Sequence, residues 1–120
     1  ATLRVLDRAA ERSPSALARR AALLGQMGRY DKALDDINEA IDQDGNVGAY
    51  HLLRAELLFA QQNGAEALKS ARRAEILGVN TARLYTLLGA LLQQQNQLRP
   101  ARLALARAGQ MAPYSPDVYD

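Results

Sequence analysis

The chain has 120 residues, of which 48% are hydrophobic and only 5% aromatic, and its formal net charge is +2. This length makes one compact domain or a short stretch of a longer array, and the scarcity of aromatic residues argues against a β-sandwich or barrel. The small charge excludes the basic field of a nucleic-acid binder, and the absence of cysteine excludes disulfides, thiolate nucleophiles and cysteine-ligated zinc.

Helical periodicity begins at once, with a first helix predicted over residues 2–12. Ser13 and Pro14 then supply an N-cap and a proline at the first helical position. Gly109 and Pro113 are predicted to end the last helix. Between these signals, six helices are predicted near residues 14–27, 31–43, 48–61, 65–77, 81–95 and 99–109. Turns of only a few residues join them, which predicts three antiparallel hairpins.

A spacing of 34 residues runs through these hairpins. It connects small residues in three columns and leucines in two, namely Ala33, Ala67 and Ala101; Ala40, Ala74 and Ala108; Ala21, Ala55 and Gly89; Leu23, Leu57 and Leu91; and Leu24, Leu58 and Leu92. A fixed period of this size marks a repeat architecture, in which each unit buries its apolar face against its neighbours. The period predicts an all-α fold and favours a binding scaffold over an enzyme.

The small-residue columns resemble those of the tetratricopeptide repeat (TPR) family. The family's turn survives as Gly28 and Tyr30, and its closing proline survives as Pro113. Its large aromatic position holds Leu17, His51 and Tyr85. The resemblance implies a right-handed superhelical solenoid of antiparallel helix hairpins, with repeats at residues 14–47, 48–81 and 82–115.

The ends also follow the repeat. Ser115 and Pro116 restore the start signal of Ser13 and Pro14, so residues 116–120 are predicted to begin a truncated further repeat. Residues 1–13 are either a capping helix or the end of a preceding repeat. Because solenoid ends normally need a polar cap, we expect self-association through the last hairpin around Leu105.

No constellation of residues predicts catalysis, a metal or a cofactor, so we expect no enzyme. His51, the only histidine, shares its column with Leu17 and Tyr85 and is expected to pack. Carboxylates cluster without the loop spacing of a calcium site and are expected to form a solvated face. They are Asp31, Asp35, Asp36, Glu39, Asp42 and Asp44. No apolar run reaches the roughly 18–20 residues of a membrane span, so direct insertion is not predicted.

Charge is segregated along the chain. Residues 31–47 carry these six acids against Lys32, whereas residues 69–107 carry seven bases against Glu75. A mixed convex surface explains this pattern. The alternative is docking through opposite charges, which would weaken with salt.

The resemblance implies that the first helix of each hairpin lines a concave groove, in which a peptide or helix of another protein lies. We expect Phe59 and Leu52 to anchor it and Glu56 and Arg83 to orient it; alternatively, Phe59 packs within its hairpin. The predicted groove residues are Ala18, Ala22, Leu52, Glu56, Phe59, Arg83, Thr86, Ala90 and Gln93. The competing hypothesis is a structural spacer that stacks on further repeats or on copies of itself.

Co-chaperone members of this family bind the carboxylates of a chaperone tail with lysines, asparagines and an arginine. The matching positions are Ala18, Ala22, Leu53, Arg83 and Leu87. Only Arg83 carries a suitable group, so we do not expect a chaperone-tail adaptor. Thirteen arginines against two lysines suggest a GC-rich bacterial genome, and both cytoplasm and cell envelope stay open as the compartment.

Overall fold

The computed structural model describes residues 13–111, which form six α-helices joined by short turns. The helices are α1 (Pro14–Gln26), α2 (Tyr30–Gln43), α3 (Gly48–Ala60), α4 (Gly64–Ile76), α5 (Ala82–Gln94) and α6 (Leu98–Met111). Their bounds confirm the predicted helices to within one or two residues. The predicted helix at 2–12 and the repeat start at 116–120 lie outside the described residues. Gly109 does not end α6, because its backbone stays helical and the helix continues to Met111.

Hairpins one and three begin with the same side-chain cap. The Ser13 hydroxyl accepts a hydrogen bond from the Ala16 amide at 3.4 Å, and Thr81 accepts one from Leu84 at 3.2 Å. Val47 holds the equivalent position before α3 and has no group to offer. A side-chain cap satisfies one of the amides that a helix start leaves without an intrahelical partner.

Each hairpin turns through one residue in the left-handed backbone region, at positions 34 residues apart. These residues are Gly28, Gln62 and Asn96, with φ of 80°, 64° and 60°. The following amide then donates to a leucine carbonyl near the helix end, in the pairs Arg29–Leu24, Asn63–Leu58 and Gln97–Leu92 at 2.8–2.9 Å. Such a bond closes a helix with its last carbonyls satisfied. The three turns therefore share one geometry although their residues differ.

The alanine columns bring the helices of each hairpin together. Ala33, Ala67 and Ala101 are at most 1% exposed. In α5 the contact is closer still, because a methyl group on Gly89 would lie 2.5 Å from Leu105. Small residues at these positions leave no space for a larger side chain without overpacking. Their predicted burial is confirmed.

The six described helices form two rows. Helices α1, α3 and α5 make up the inner row, where α1 contacts α3 and α3 contacts α5. Helices α2, α4 and α6 make up the outer row; among the described helices, each of them packs on inner-row helices and not on the others of its row. The close approach is visible at Gly25, where a methyl group would lie 2.7 Å from the Leu57 side chain. The inner row is thus the tighter side of a curved stack.

Candidate functional site

The predicted groove residues all belong to helices of the inner row. Arg83, Thr86 and Gln93 of α5 are exposed, whereas Leu52 of α3 is buried. The remaining five are half-buried, and they are Ala18, Ala22, Glu56, Phe59 and Ala90. The surface they share is called the inner face below.

Leu52 differs from its expected role as an apolar anchor. Its side chain is 7% exposed and belongs to the core cluster shared by the second and third hairpins. Ala18 and Thr86, which hold the same position in α1 and α5, are half-buried and exposed. The larger leucine is withdrawn from water by packing on its neighbours, so it supports the inner face from below. Phe59 packs against the same cluster but is half-buried, so part of its side chain stays accessible.

Arg83 and Glu56 form a bidentate ion pair that joins α5 to α3. The Nη2 of Arg83 donates to Oε1 of Glu56 at 2.5 Å, and its Nε donates to the other carboxylate oxygen. The Arg83 side chain is 67% exposed, so the pair adds little stability, but it holds two facing groups in one geometry. Sequence reasoning selected both residues without pairing them. The signal was their separation of 27 residues, which is one repeat less two helical turns.

On the other side of the hairpins, Arg20 of α1 pairs with Asp36 of α2. The Nε and Nη2 of Arg20 donate to the two carboxylate oxygens of Asp36 at 2.5 and 2.6 Å. Asp36 is only 4% exposed. The expectation that it belongs to a solvated acidic face is therefore wrong, because the guanidinium takes the place of water around its carboxylate. Asp31, Asp35, Glu39, Asp42 and Asp44 are exposed as expected.

Arg54 holds the same position in α3 and bridges two helices of the outer row. Its Nε donates to Asn38 Oδ1 of α2 at 2.8 Å, and its Nη1 donates to Ser70 Oγ of α4 at 2.5 Å. One repeat later, these three polar residues become Arg72, Leu88 and Ala104. A hollow of about 510 Å³ lies at that point, between α4 and α6.

The only histidine has a structural partner. His51 Nε2 lies 2.9 Å from the Gly45 carbonyl oxygen, which can only accept, and so ties α3 to the loop before it. Within residues 13–111 no group of three or more histidine, cysteine or acidic side chains is placed to hold a metal ion. In the same range, no helix combines the length and the apolar character needed to cross a bilayer.

No protein-family model matches the sequence, and no curated protein matches it. Solved structures nevertheless share its fold. YrrB, described as a TPR protein with an unusual peptide-binding site, superimposes with a TM-score of 0.86 at 19% identity. The match covers 94% of this chain but only 60% of YrrB. The chain therefore has a TPR-like fold, and it spans less than two thirds of that neighbour.

Two other neighbours were solved with or without peptides. The first TPR of Spaghetti (RPAP3), bound to the HSP90 peptide SRMEEVD, has a TM-score of 0.80 at 20% identity, with 89% of this chain and 85% of that chain covered. The Yersinia enterocolitica type III secretion translocator chaperone SycD has a TM-score of 0.77 at 18% identity, with 88% and 80% covered. SycD was also solved in complex with a peptide of the translocator YopD. At these identities the comparisons define the fold.

Proposed function

We propose that this chain is a protein-interaction module that binds a peptide or helix of another protein along its inner face. The observation that supports this most is the Arg83–Glu56 pair, which connects α5 and α3 and leaves the Arg83 side chain 67% exposed. Phe59 lies three residues after Glu56, so the two side chains are neighbours on one side of α3. An accessible ring beside a fixed charged pair offers apolar anchorage and orientation together.

The polar groups of α5 complete the proposed groove. Thr86 and Gln93 are exposed and are one to two turns apart, so they can hydrogen-bond to the backbone of an extended segment. Ala18, Ala22 and Ala90 keep the rest of the surface shallow, which lets a backbone approach closely. Structural neighbours that bind peptides support this assignment by analogy of fold.

The test begins with peptides selected on the wild-type chain from a displayed random library. Each selected peptide is titrated against Phe59→Ala and, as a control on the outer row, Asp35→Ala. Buried aromatic anchors commonly contribute about 2 kcal/mol, so Phe59→Ala should weaken binding about 30-fold. Asp35→Ala should leave the dissociation constant unchanged.

Phe59 also packs on the core, so a second variant separates binding from folding. Phe59→Leu keeps an apolar contact with the core and loses the ring. Circular dichroism should report an unchanged fold, while binding falls by about tenfold, which corresponds to about 1.4 kcal/mol. If only Asp35→Ala reduces binding, the inner face is not the site and docking through the outer charges takes its place.

Self-association is a second candidate function, and the open end of the third hairpin favours it. Leu98 is 55% and Leu105 38% exposed. Gly64, which precedes Leu98 by one repeat, is covered by the following hairpin, since a methyl group there would lie 3.0 Å from Gln94. Sedimentation across a concentration series tests this candidate: Leu98→Glu should abolish any dimer, and a parent that is monomeric throughout would refute it.

A further inference from the structure

The outer surface between the second and third hairpins carries an open groove, which we call the outer groove. It is lined by Arg72 of α4, Leu88 and Leu92 of α5, and Leu103, Ala104 and Arg107 of α6. Its volume of about 510 Å³ falls within the range of about 300–1,000 Å³ typical of ligand sites. The equivalent position between the first and second hairpins holds the Arg54 side chain, bonded on both sides.

Three substitutions within the repeat account for the opening. Relative to the preceding repeat, Leu88 replaces Arg54, Ala104 replaces Ser70, and Arg72 replaces Asn38. The bridging guanidinium and both of its neutral partners are therefore replaced together. Leucine and alanine leave an apolar floor, and no side chain of the third hairpin takes over the bridge.

The rim of the outer groove exposes apolar surface as well. Leu103 is 73% exposed, and the residues at its position in the earlier repeats are Asp35 and Lys69. A leucine where both other repeats have a charge has no role in closing the hairpin. Exposed apolar residues grouped at the edge of a hollow mark an interaction surface rather than scattered surface leucines.

A second hollow makes the outer groove elongated. It has a volume of about 570 Å³ and shares Arg72 and Leu92 with the first, so the two adjoin. Ile76, which is also 73% exposed, lines this second part. Two adjoining hollows with an apolar floor fit a stretch of polypeptide better than a compact small molecule.

Charge selects the kind of polypeptide. Arg72 makes only a weak surface contact with Glu75, at 3.3 Å, and Arg107 lies 4.9 Å from the centre of the Tyr85 ring. Helix α6 contains Arg99, Arg102 and Arg107 and no acidic residue. The guanidinium groups on the rim remain able to bind carboxylates, with which arginine pairs in a bidentate manner.

We propose that the outer groove is a second binding site and that its occupant is an acidic amphipathic segment of another protein. An apolar side chain of this segment covers Leu88 and packs against Leu103. Carboxylates beside it meet Arg72 and Arg107. The site is separate from the inner face and does not depend on the function proposed for that face.

Two labelled peptides serve as probes. Each has about 16 residues, which makes about four helical turns, with leucine along one face. One has glutamate on both flanks and the other has lysine at the same positions. In fluorescence anisotropy, the acidic peptide should bind at least tenfold more tightly than the basic one, and its affinity should fall as salt is raised.

The variants copy residues from the neighbouring repeats. Leu103→Lys introduces the residue of the second hairpin and adds positive charge, so any loss of acidic-peptide binding reflects lost apolar contact. Arg72→Asn introduces Asn38 of the first hairpin. We expect each to weaken binding about tenfold. Met27→Lys, which makes the same change at a 49% exposed residue of the first hairpin, should leave binding unchanged.

Both test positions are exposed, so their variants should keep the parent's melting temperature. Equal binding of the two peptides, no binding up to about 1 mM, or equal losses in Leu103→Lys and Met27→Lys would each overturn the proposal. A concentration-dependent dimer abolished by Leu103→Lys would also overturn it, because the occupant would then be a second copy of this chain. Loss of acidic-peptide binding in Phe59→Leu would assign the peptide to the inner face instead.

Discussion

The outer surface differs between the first two hairpins and the third, although the backbone repeats. In the first two, an arginine of the inner row bonds a polar residue sixteen positions later, as Arg20–Asp36 and Arg54–Ser70. In the third, the same positions hold Leu88 and Ala104. Both partners changed together, so no buried polar atom was left alone. The 34-residue period thus preserves where helices touch and turn, while side-chain pairs are exchanged as couples.

The largest effect should come from breaking one of these couples in half. Arg20→Ala leaves the Asp36 carboxylate buried without its guanidinium, and removing one partner of a buried ion pair costs about 3 kcal/mol or more. Urea unfolding measures this loss. The double variant Arg20→Leu–Asp36→Ala copies the pair of the third hairpin. Because a buried ion pair and an apolar pair of similar volume differ little, the double variant should lose much less.

This comparison is decided by the order of the two stabilities. A double variant as unstable as Arg20→Ala would mean that the first hairpin needs the charge itself. The pairing would then not be exchangeable between hairpins. The apolar pair of the third hairpin would have required compensating changes elsewhere in its core.

The next largest effect tests what all three hairpins share. Ala67 is fully buried between α4 and the rest of its hairpin, so Ala67→Leu should overpack the contact and cost about 2 kcal/mol. Ala65 on the same helix is exposed, and Ala65→Leu should change stability by no more than about 0.5 kcal/mol. Thermal unfolding of the two variants gives the difference. Equal melting temperatures would show that the assigned 34-residue register is incorrect.

The helices, turns and alanine contacts were predictable because the constraint on each is local or repeated. A left-handed residue at position 28, 62 or 96 and an alanine at a helix crossing recur once per repeat, so three copies reinforce one another. The end of α6 was predicted less well. Gly109 breaks helices in general, but in α6 it lies one residue after buried Ala108, and the helix continues.

The side-chain pairs were harder to predict. Asp36 lies among five exposed acids, and composition alone does not separate it from them. Its burial depends on Arg20, sixteen residues earlier, and the recurrence of that offset at Arg54 and Ser70 was the available signal. Leu52 was assigned to the inner face from the positions of Ala18 and Thr86, whose small size conceals how far a leucine at that point is buried. Whether the nine predicted residues bind a partner stays a prediction.

A smaller effect distinguishes the turns of the hairpins. Gln62 adopts φ of 64°, a conformation that costs a residue with a side chain about 1 kcal/mol and costs glycine little. Gln62→Gly should therefore stabilise the chain and raise Tm by about 4 °C. Gln61 is the matched control: its φ is −85°, so Gln61→Gly should lower Tm. If both variants lowered Tm, the turn of the second hairpin would not share the geometry of Gly28.

The smallest expected effect is no binding of the peptide SRMEEVD, which occupies the first TPR of Spaghetti (RPAP3). Of the positions that match the family's carboxylate clamp, only Arg83 has a cationic side chain, and it already pairs with Glu56. Leu53 and Leu87 are withdrawn toward the core, with Leu87 only 8% exposed. An incoming carboxylate would therefore meet one occupied guanidinium and the negative charge of Glu56.

Titration calorimetry with the peptide should show no saturation up to about 1 mM, a concentration at which binding amounts to only about 4 kcal/mol. Glu56→Gln provides the sharpest control, because it removes the competing charge while keeping the size of the side chain. We expect even this variant to bind weakly, since one guanidinium cannot replace a set of lysines and asparagines. Saturable binding by the parent below about 100 μM, lost in Arg83→Ala, would show that this inner face recognises acidic tails through Arg83.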